Sequence, residues 1–522
     1  MNRHTCSSGR LSRWSTKKVT RFIAVFILTV TCVTNTFAQA SPLEGFEDYV
    51  DDAVRDWKVP GLAVLVVKDG DVAFSQGFGL RQLGEGPEVS DRTLFAIGST
   101  TKAMTAAAIG MLVDEGKLNW DDPVIEHLPW FHLDDPYVTR EITIRDLLTH
   151  RAGLGNADFL WYGMDTAIDD ILDRIKYAKL EYSMRSGFIY QNIMYAAAGE
   201  IVARVSGMPW ADFIQSRIFD PLGMTASVPT ARELNLQPNV ASPHYEIDGE
   251  VTVIKNASVD AIGAAGSIWS SVHDMSKWMR LLLDGGATTD GEALLNPATV
   301  AELFTPQVIV DEDGFYPTAK LTSPHWTTYG LGWFQADYRG RAVDFHTGSI
   351  DGMVAIVGLI RGEKLGVCVL ANLDHAELRH ALMYRVFDLF DEGPPRDWSA
   401  ELLGLYGGVR AEVEERRART DAGRIEGTEP SLSLGVYVGS YSDRLHGEVV
   451  VSRDAAGLRL NYGPGLQGPL VHWHYDTFRV HWDAEWRGRS LVSFVLNAAG
   501  EPAILEMSGA RFQRNAADPG GR

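Results

Sequence analysis

Three short segments of this 522-residue chain carry side chains that could attack a carbonyl and move a proton. The first is Ser99-Thr100-Thr101-Lys102. With Ser99 at the start of a helix, Lys102 lies one turn on and on the same face, within reach of the hydroxyl. A serine hydroxyl is a poor nucleophile at neutral pH, so a base must sit beside it, and Lys102 can serve. The second is Tyr190-Gln191-Asn192, the only Tyr-x-Asn in the chain, and the third is His346-Thr347-Gly348-Ser349. Taken singly, each has an ordinary structural explanation, a core tyrosine or a strand-end histidine beside a turn. Ser15-Thr16-Lys17-Lys18 repeats the first pattern where it can do nothing.

Positioning these groups is the task of the surrounding elements. Gly61 to Val67 reads as a strand that turns at Asp69-Gly70 and returns through Val72-Ala73-Phe74, a hairpin pattern. Thr100 to Glu115 reads as a helix, apolar nearly all round and therefore buried in the middle of a domain. Residues 140–225 look mostly helical, Tyr329 to Asn372 strand-rich, and His375 to Phe390 helical again. Strands early and late with helices between them predict an α/β fold: one antiparallel sheet flanked by helices, with an inserted helical lobe. A site would fall between sheet and lobe. Beyond Gly393-Pro394-Pro395 comes a charged helical stretch. From Gly435 short strands alternate with turns, the look of a small all-β barrel or sandwich. The expected division is a large domain at 41–395, a helical linker at 396–430 and a β domain at 431–515.

In order and in kind, the three boxes resemble those of the serine β-lactamase and penicillin-binding-protein superfamily, in its class C-like branch. Leu147-Leu148-Thr149-His150-Arg151-Ala152-Gly153-Leu154, Ile218-Phe219-Asp220-Pro221-Leu222-Gly223-Met224 and Ala264-Ala265-Gly266-Ser267 add to the likeness. It covers roughly residues 45–392, and the β domain resembles the lipocalin-like appendage of some D-aminopeptidase relatives. The resemblance implies a β-lactamase/transpeptidase-like fold and an acyl-enzyme on Ser99. Lys102 and Tyr190 would share the proton transfers, and Asn192 would orient substrate and Lys102. Thr347, Gly348 and Ser349 would line the substrate strand, with the Ser99 and Ser349 N–H groups as oxyanion hole. His346 departs from the usual lysine and resembles the carboxypeptidase, aminopeptidase and esterase relatives. A cationic His346 would hold a substrate carboxylate; a neutral one would steer the Tyr190 hydroxyl. The implied activity is a peptidase or amidase on short peptides with D-residues, with a carboxylesterase or a class C-like β-lactamase as alternatives. A non-catalytic penicillin sensor is the reading from another class.

Composition narrows the rest. Hydrophobic residues at 45% and charged residues at 22% suit a globular chain and exclude a disordered one. A net charge of −20 argues against nucleic acid as partner, since phosphate binding needs clustered Lys and Arg. Residues 1–40 hold six basic and no acidic residues, then the apolar Phe22 to Val33 and Ala38-Gln39-Ala40. This reads as a cleaved signal peptide and an exported, periplasmic or extracellular protein without a later membrane span. Cys368 then stands alone, so neither a disulfide framework nor a cysteine zinc site is expected. His472 and His474, with His481 nearby, raise a zinc reading, but the chain lacks His-Glu-x-x-His, and no metal or cofactor is expected. The aromatic β domain could roof the cleft or mediate oligomerisation.

Overall fold

Strand Gly61–Lys68 dictates the layering. Leu62, Val64 and Val66 enter one apolar cluster, while Ala63, Leu65 and Val67 enter another, all fully buried. Alternate side chains of a strand point to opposite faces, so an unbroken apolar run requires a layer on each side. The computed structural model describes residues 41–391, 393–394 and 396–516; the signal-peptide reading of residues 1–40 lies outside them. Asp69 and Gly70 form the expected turn, with φ of 52° and 84° as a two-residue hairpin loop demands.

The sheet has nine antiparallel strands. Across it run Glu85–Glu88, Asp71–Gln82, Gly61–Lys68, Leu365–Ala371, Met353–Ile360, Arg341–Ile350, Phe334–Tyr338, Thr327–Tyr329 and Val308–Ile309. The early and late strand groups meet where Gly61–Lys68 pairs with Leu365–Ala371. On one face pack helices Phe46–Asp56 and Leu378–Leu389 and the start of Trp398–Ala422. On the other lies the helical lobe, with Thr101–Asp114, Asn192–Ser206 and Val272–Leu283. Every side chain from Thr101 to Leu112 is buried. This is the α/β architecture that the patterns predicted.

The stretch 140–225 is less helical than expected. Between helices Ile144–Leu148 and Asn192–Ser206 only Ile168–Arg174 is α-helical, besides two 3-10 turns, Asp158–Leu160 and Ile175–Tyr177. The chain there is held by single polar bonds instead: Gln191 Nε2 donates to Gly155 O (2.7 Å), and Glu181 N to Gly153 O (2.9 Å). Gly153 adopts φ 81°, and a β-carbon on it would stand 2.3 Å from Tyr182 O, so this turn needs glycine.

Gly439 to Arg514 form a closed eight-stranded barrel, completed where Gly439–Asp443 pairs with Ala510–Arg514. Val449 and Val451 point inward while Glu448 and Ser452 face solvent, the alternation that a half-buried strand requires. Closure leaves no open strand edge.

The barrel grips the large domain at Asp351, in the turn after strand Arg341–Ile350. Asp351 accepts from Tyr162 Oη (2.7 Å), Trp486 Nε1 (2.9 Å) and Arg487 Nη2 (3.1 Å), and the Arg487 guanidinium lies 4.3 Å above the Tyr162 ring. Phe159 stacks on His446 at 4.1 Å, and Gly465 N donates to Gly163 O at 2.9 Å. Both partners of the Arg487–Asp351 pair are 8% exposed. Breaking such a buried pair strands a charge, so Arg487→Ala should cost about 3 kcal/mol. Urea unfolding of the two proteins checks this; an unchanged midpoint would show that the junction contributes nothing.

Candidate active site

Ser99 sits in a 3-10 turn, Gly98–Thr100, that feeds helix Thr101–Asp114. Ser99 thus precedes the helix by two residues, and Lys102 occupies its first turn. Lys102 is fully buried, and its Nζ lies 3.0 Å from Ser99 Oγ, 2.7 Å from Asn192 Oδ1 and 2.8 Å from Ala265 O. Burial pulls the amine down to about 7, opposed by the Asp158 carboxylate. A neutral amine has two N–H donors and one lone pair. With Asn192 and Ala265 able only to accept from it, the lone pair is left for the Ser99 hydroxyl. Such an arrangement can accept the hydroxyl proton.

Asn192 opens helix Asn192–Ser206, capped by the Gln191 side chain, which accepts from Ile193 N. Tyr190 precedes it, with its ring centroid 4.8 Å from Lys102 Nζ and 4.3 Å from that of His150. Burial pushes the phenol well above its usual value, against a hydrogen bond with Ser99, so it carries its proton at neutral pH. A protonated phenol beside the nucleophile can supply a leaving group.

Strand Arg341–Ile350 brings the third box alongside. It pairs with Phe334–Tyr338 only as far as Phe345, but with Met353–Ile360 up to Ile350. The edge from His346 to Ser349 therefore faces the Ser99 turn. A β-carbon on Gly98 would stand 2.6 Å from Ser349 N, and one on Gly348 would stand 1.9 Å from Ile97 O and 3.0 Å from Ser99 N. Two glycines thus let the Ser99 and Ser349 amides approach each other. Beneath them Arg379 Nη1 donates to Gly348 O (2.5 Å) and Ser349 Oγ (3.0 Å), and Glu377 neutralises the guanidinium in a bidentate pair. The C=O and N–H of a trans peptide point in opposite directions. Holding the Gly348 carbonyl therefore turns the Ser349 N–H toward Ser99.

His346 stands 1% exposed with its Nδ1 2.6 Å from Thr347 O and its Nε2 3.0 Å from Tyr329 Oη. A carbonyl only accepts, so Nδ1 carries the proton and Nε2 accepts from Tyr329. Burial, then Lys102, push the ring down to about 3. An imidazole desolvated beside an amine and bonded at both nitrogens favours the neutral reading of His346 over the cationic one. The neutral reading is corrected in its partner, which is Tyr329 and not Tyr190. Thr347 Oγ1 meets Tyr316 Oη at 2.6 Å.

Asp158, His150 and the Glu377–Arg379 pair escaped the sequence reading. Asp158 bonds the Asn192 amide through both oxygens (3.1 Å each), yet it stands in an irregular loop with no periodic signature. His150, read only as flanking text, takes the Gln191 N–H on Nδ1 (3.0 Å) at a positive φ of 57°. In the barrel, His472 Nε2 bonds Tyr475 O (3.0 Å) and His474 Nδ1 accepts from Ile425 N (3.3 Å). Among the described residues no group of His, Cys, Asp and Glu is arranged to hold a metal, and no helix is long and apolar enough to cross a membrane. Cys368 is buried in the sheet, its thiol pushed up by desolvation.

Residues 46–389 match the family described as Beta-lactamase, and residues 423–519 match a domain of unknown function, DUF3471. Penicillin-binding protein 4 of Amycolatopsis lactamdurans is 31% identical over 69% of this chain and 89% of its own. An unguisins hydrolase of Aspergillus violaceofuscus is 28% identical over 81% and 79%. Among solved structures, the octameric penicillin-binding protein homologue from Pyrococcus abyssi covers 90% of this chain and 99% of its own, at 22% identity and a TM-score of 0.59. A class C beta lactamase from Rhodobacter sphaeroides covers 66% and 98%, at 21% and 0.53. The two solved structures share the fold of this chain over the residues they cover.

The close approach of the two amides leaves no room for a side chain at Gly348. Gly348→Ala should force the strand away from Ile97 and Ser99, lowering kcat on an activated ester by about 10²-fold or more. Steady-state kinetics on the folded variant test this; a wild-type kcat would remove the Ser349 amide from the site.

Proposed function

The chain belongs to the beta-lactamase family, and on that footing we propose that it is a serine hydrolase working through an acyl-enzyme on Ser99. The observation that carries the reading is the Lys102 amine, 3.0 Å from the Ser99 hydroxyl and lowered by burial to about 7. Ser99 Oγ adds to an amide or ester carbonyl carbon while its proton passes to Lys102 Nζ. The oxyanion lies between the Ser99 and Ser349 N–H groups. As the adduct collapses, the bond to the leaving group breaks and that group takes a proton from Tyr190, which the Lys102 ammonium restores. Water then adds to the ester carbon, giving its proton to the same system, and Ser99 departs with a proton regained. Asn192 keeps Lys102 aimed throughout.

Short peptides and amides, including those with D-residues, are the substrates that this reading favours, with esters as side substrates. A neutral His346 supplies no charge for a β-lactam carboxylate, so nitrocefin should rank below amide and ester substrates. Residues 41–395 would form the hydrolase domain, 396–430 the linker and 431–515 the appended barrel. Export rests on the basic and apolar character of residues 1–40.

Ser99→Ala should abolish labelling by a fluorophosphonate and turnover of p-nitrophenyl acetate; full-strength labelling of the variant would reject Ser99. The pH profile has a definite sign. Lys102 acts as base only when neutral, so the labelling rate should climb as pH rises toward about 7 and level off above it. His346, lowered to about 3, adds no inflection between pH 5 and 8. A rate falling across that interval would exclude Lys102 as the base.

A further inference from the structure

The charges around the reacting groups are nearly all cancelled, and one is not. Arg379 is neutralised by Glu377 and Arg487 by Asp351. His446, stacked on the neighbouring Phe159, is bonded to Asp443 at 2.7 Å. Asp158 differs from these. Its oxygens accept from Asn192 Nδ2, from Trp161 Nε1 (2.9 Å) and from Asn156 Nδ2 (3.2 Å), all neutral donors. Among the described residues no Lys, Arg or His comes within 4.0 Å ion-pair range of it. Neutral donors satisfy its lone pairs without cancelling its charge, and a half-buried carboxylate is costly to leave so.

Asn192 sets where that charge lies. One end of its amide accepts from Lys102 Nζ at 2.7 Å, and the other donates to Asp158 at 3.1 Å. The carboxylate is thus a single amide group away from the base that faces Ser99. A carbonyl carbon bonded to Ser99 would carry its α-substituent within a few ångströms of this corner. An ammonium there meets an anion with no ion-pair partner among the described residues, whereas a carboxylate meets repulsion that only the partly neutral Lys102 amine offsets.

We propose that Asp158 reads a free ammonium on the acyl-donating residue, so that the preferred substrates are amides of amino acids or peptides with an unblocked N-terminus. This rests on the acyl-enzyme reading above and adds the chemical class of substrate to it. Asp158 also faces Lys102 electrostatically, so its removal alters the base for every substrate. The informative quantity is therefore a ratio between two substrates that share one leaving group.

The experiment measures kcat/KM of the full chain on D-alanine p-nitroanilide and on its N-acetyl counterpart, with p-nitrophenyl acetate as a third substrate. The wild type should favour the free amine by about tenfold or more, the equivalent of one well-placed ion pair. Asp158→Asn should bring that ratio close to one, chiefly through a higher KM for the free amine, and Asp158→Glu should restore part of it. A wild-type ratio near one, cleavage of the ester but of neither amide, or an Asp158→Asn ratio equal to that of the wild type overturns the proposal while leaving the acyl-enzyme standing. Failure of the wild type on all three substrates overturns both.

Discussion

A primary amine enclosed by two neutral acceptors and a hydroxyl is the constraint around which this molecule is organised. Taking an ammonium out of water is expensive unless a counter-ion accompanies it, and among the described residues no carboxylate pairs with Lys102. Its acceptors must therefore be held in place by something other than the amine. Ala265 O belongs to the short helix Gly263–Gly266, whose Ala264 O accepts from Thr105 Oγ1 (2.7 Å), which in turn accepts from Trp210 Nε1 (3.1 Å). Asn192 is fixed by the start of its helix and by Asp158. The all-round burial of helix Thr101–Asp114 follows from the same need, because a base lowered by desolvation requires a dry setting.

The second requirement is that lobe and sheet touch closely enough to bring two amides together. Gly98 and Gly348 make this possible, and the buried Glu377–Arg379 pair turns the Gly348 carbonyl to the rear. That pair is costly to bury, yet it acts where backbone direction matters. A strand whose outer edge is released after Phe345 has no ladder partner to orient its last peptides on that side, and Arg379 takes over that task.

Much of this could be read from the residues because the boxes are local in sequence while their convergence follows from topology. The paired strand groups and the all-apolar helix were legible through their periodicities, and both follow from burial. What could not be read depends on single side chains in irregular chain. Asp158 lies where Gly153, Gly155 and Gly163 break every period, and its partner Asn192 is 34 residues away. The charge state of His346 was equally hidden. A sequence shows an imidazole, whereas only the packing shows Tyr329 and Thr347 occupying both nitrogens.

The barrel bears on the cleft through the same irregular chain. Trp486 and Arg487 hold Asp351, two residues beyond Ser349, while His446 and Gly465 hold Phe159 and Gly163, which flank Asp158 on its C-terminal side. Both walls of the site thus end on the appended domain. The 155–164 segment has no ladder of backbone bonds to fix it, so its conformation must come from what packs on it. The three boxes lie wholly within the large domain. The Asp158 carboxylate, bonded to Asn192 beside Lys102, is placed by a loop that the barrel helps to hold, so the large domain and the barrel jointly fix its position.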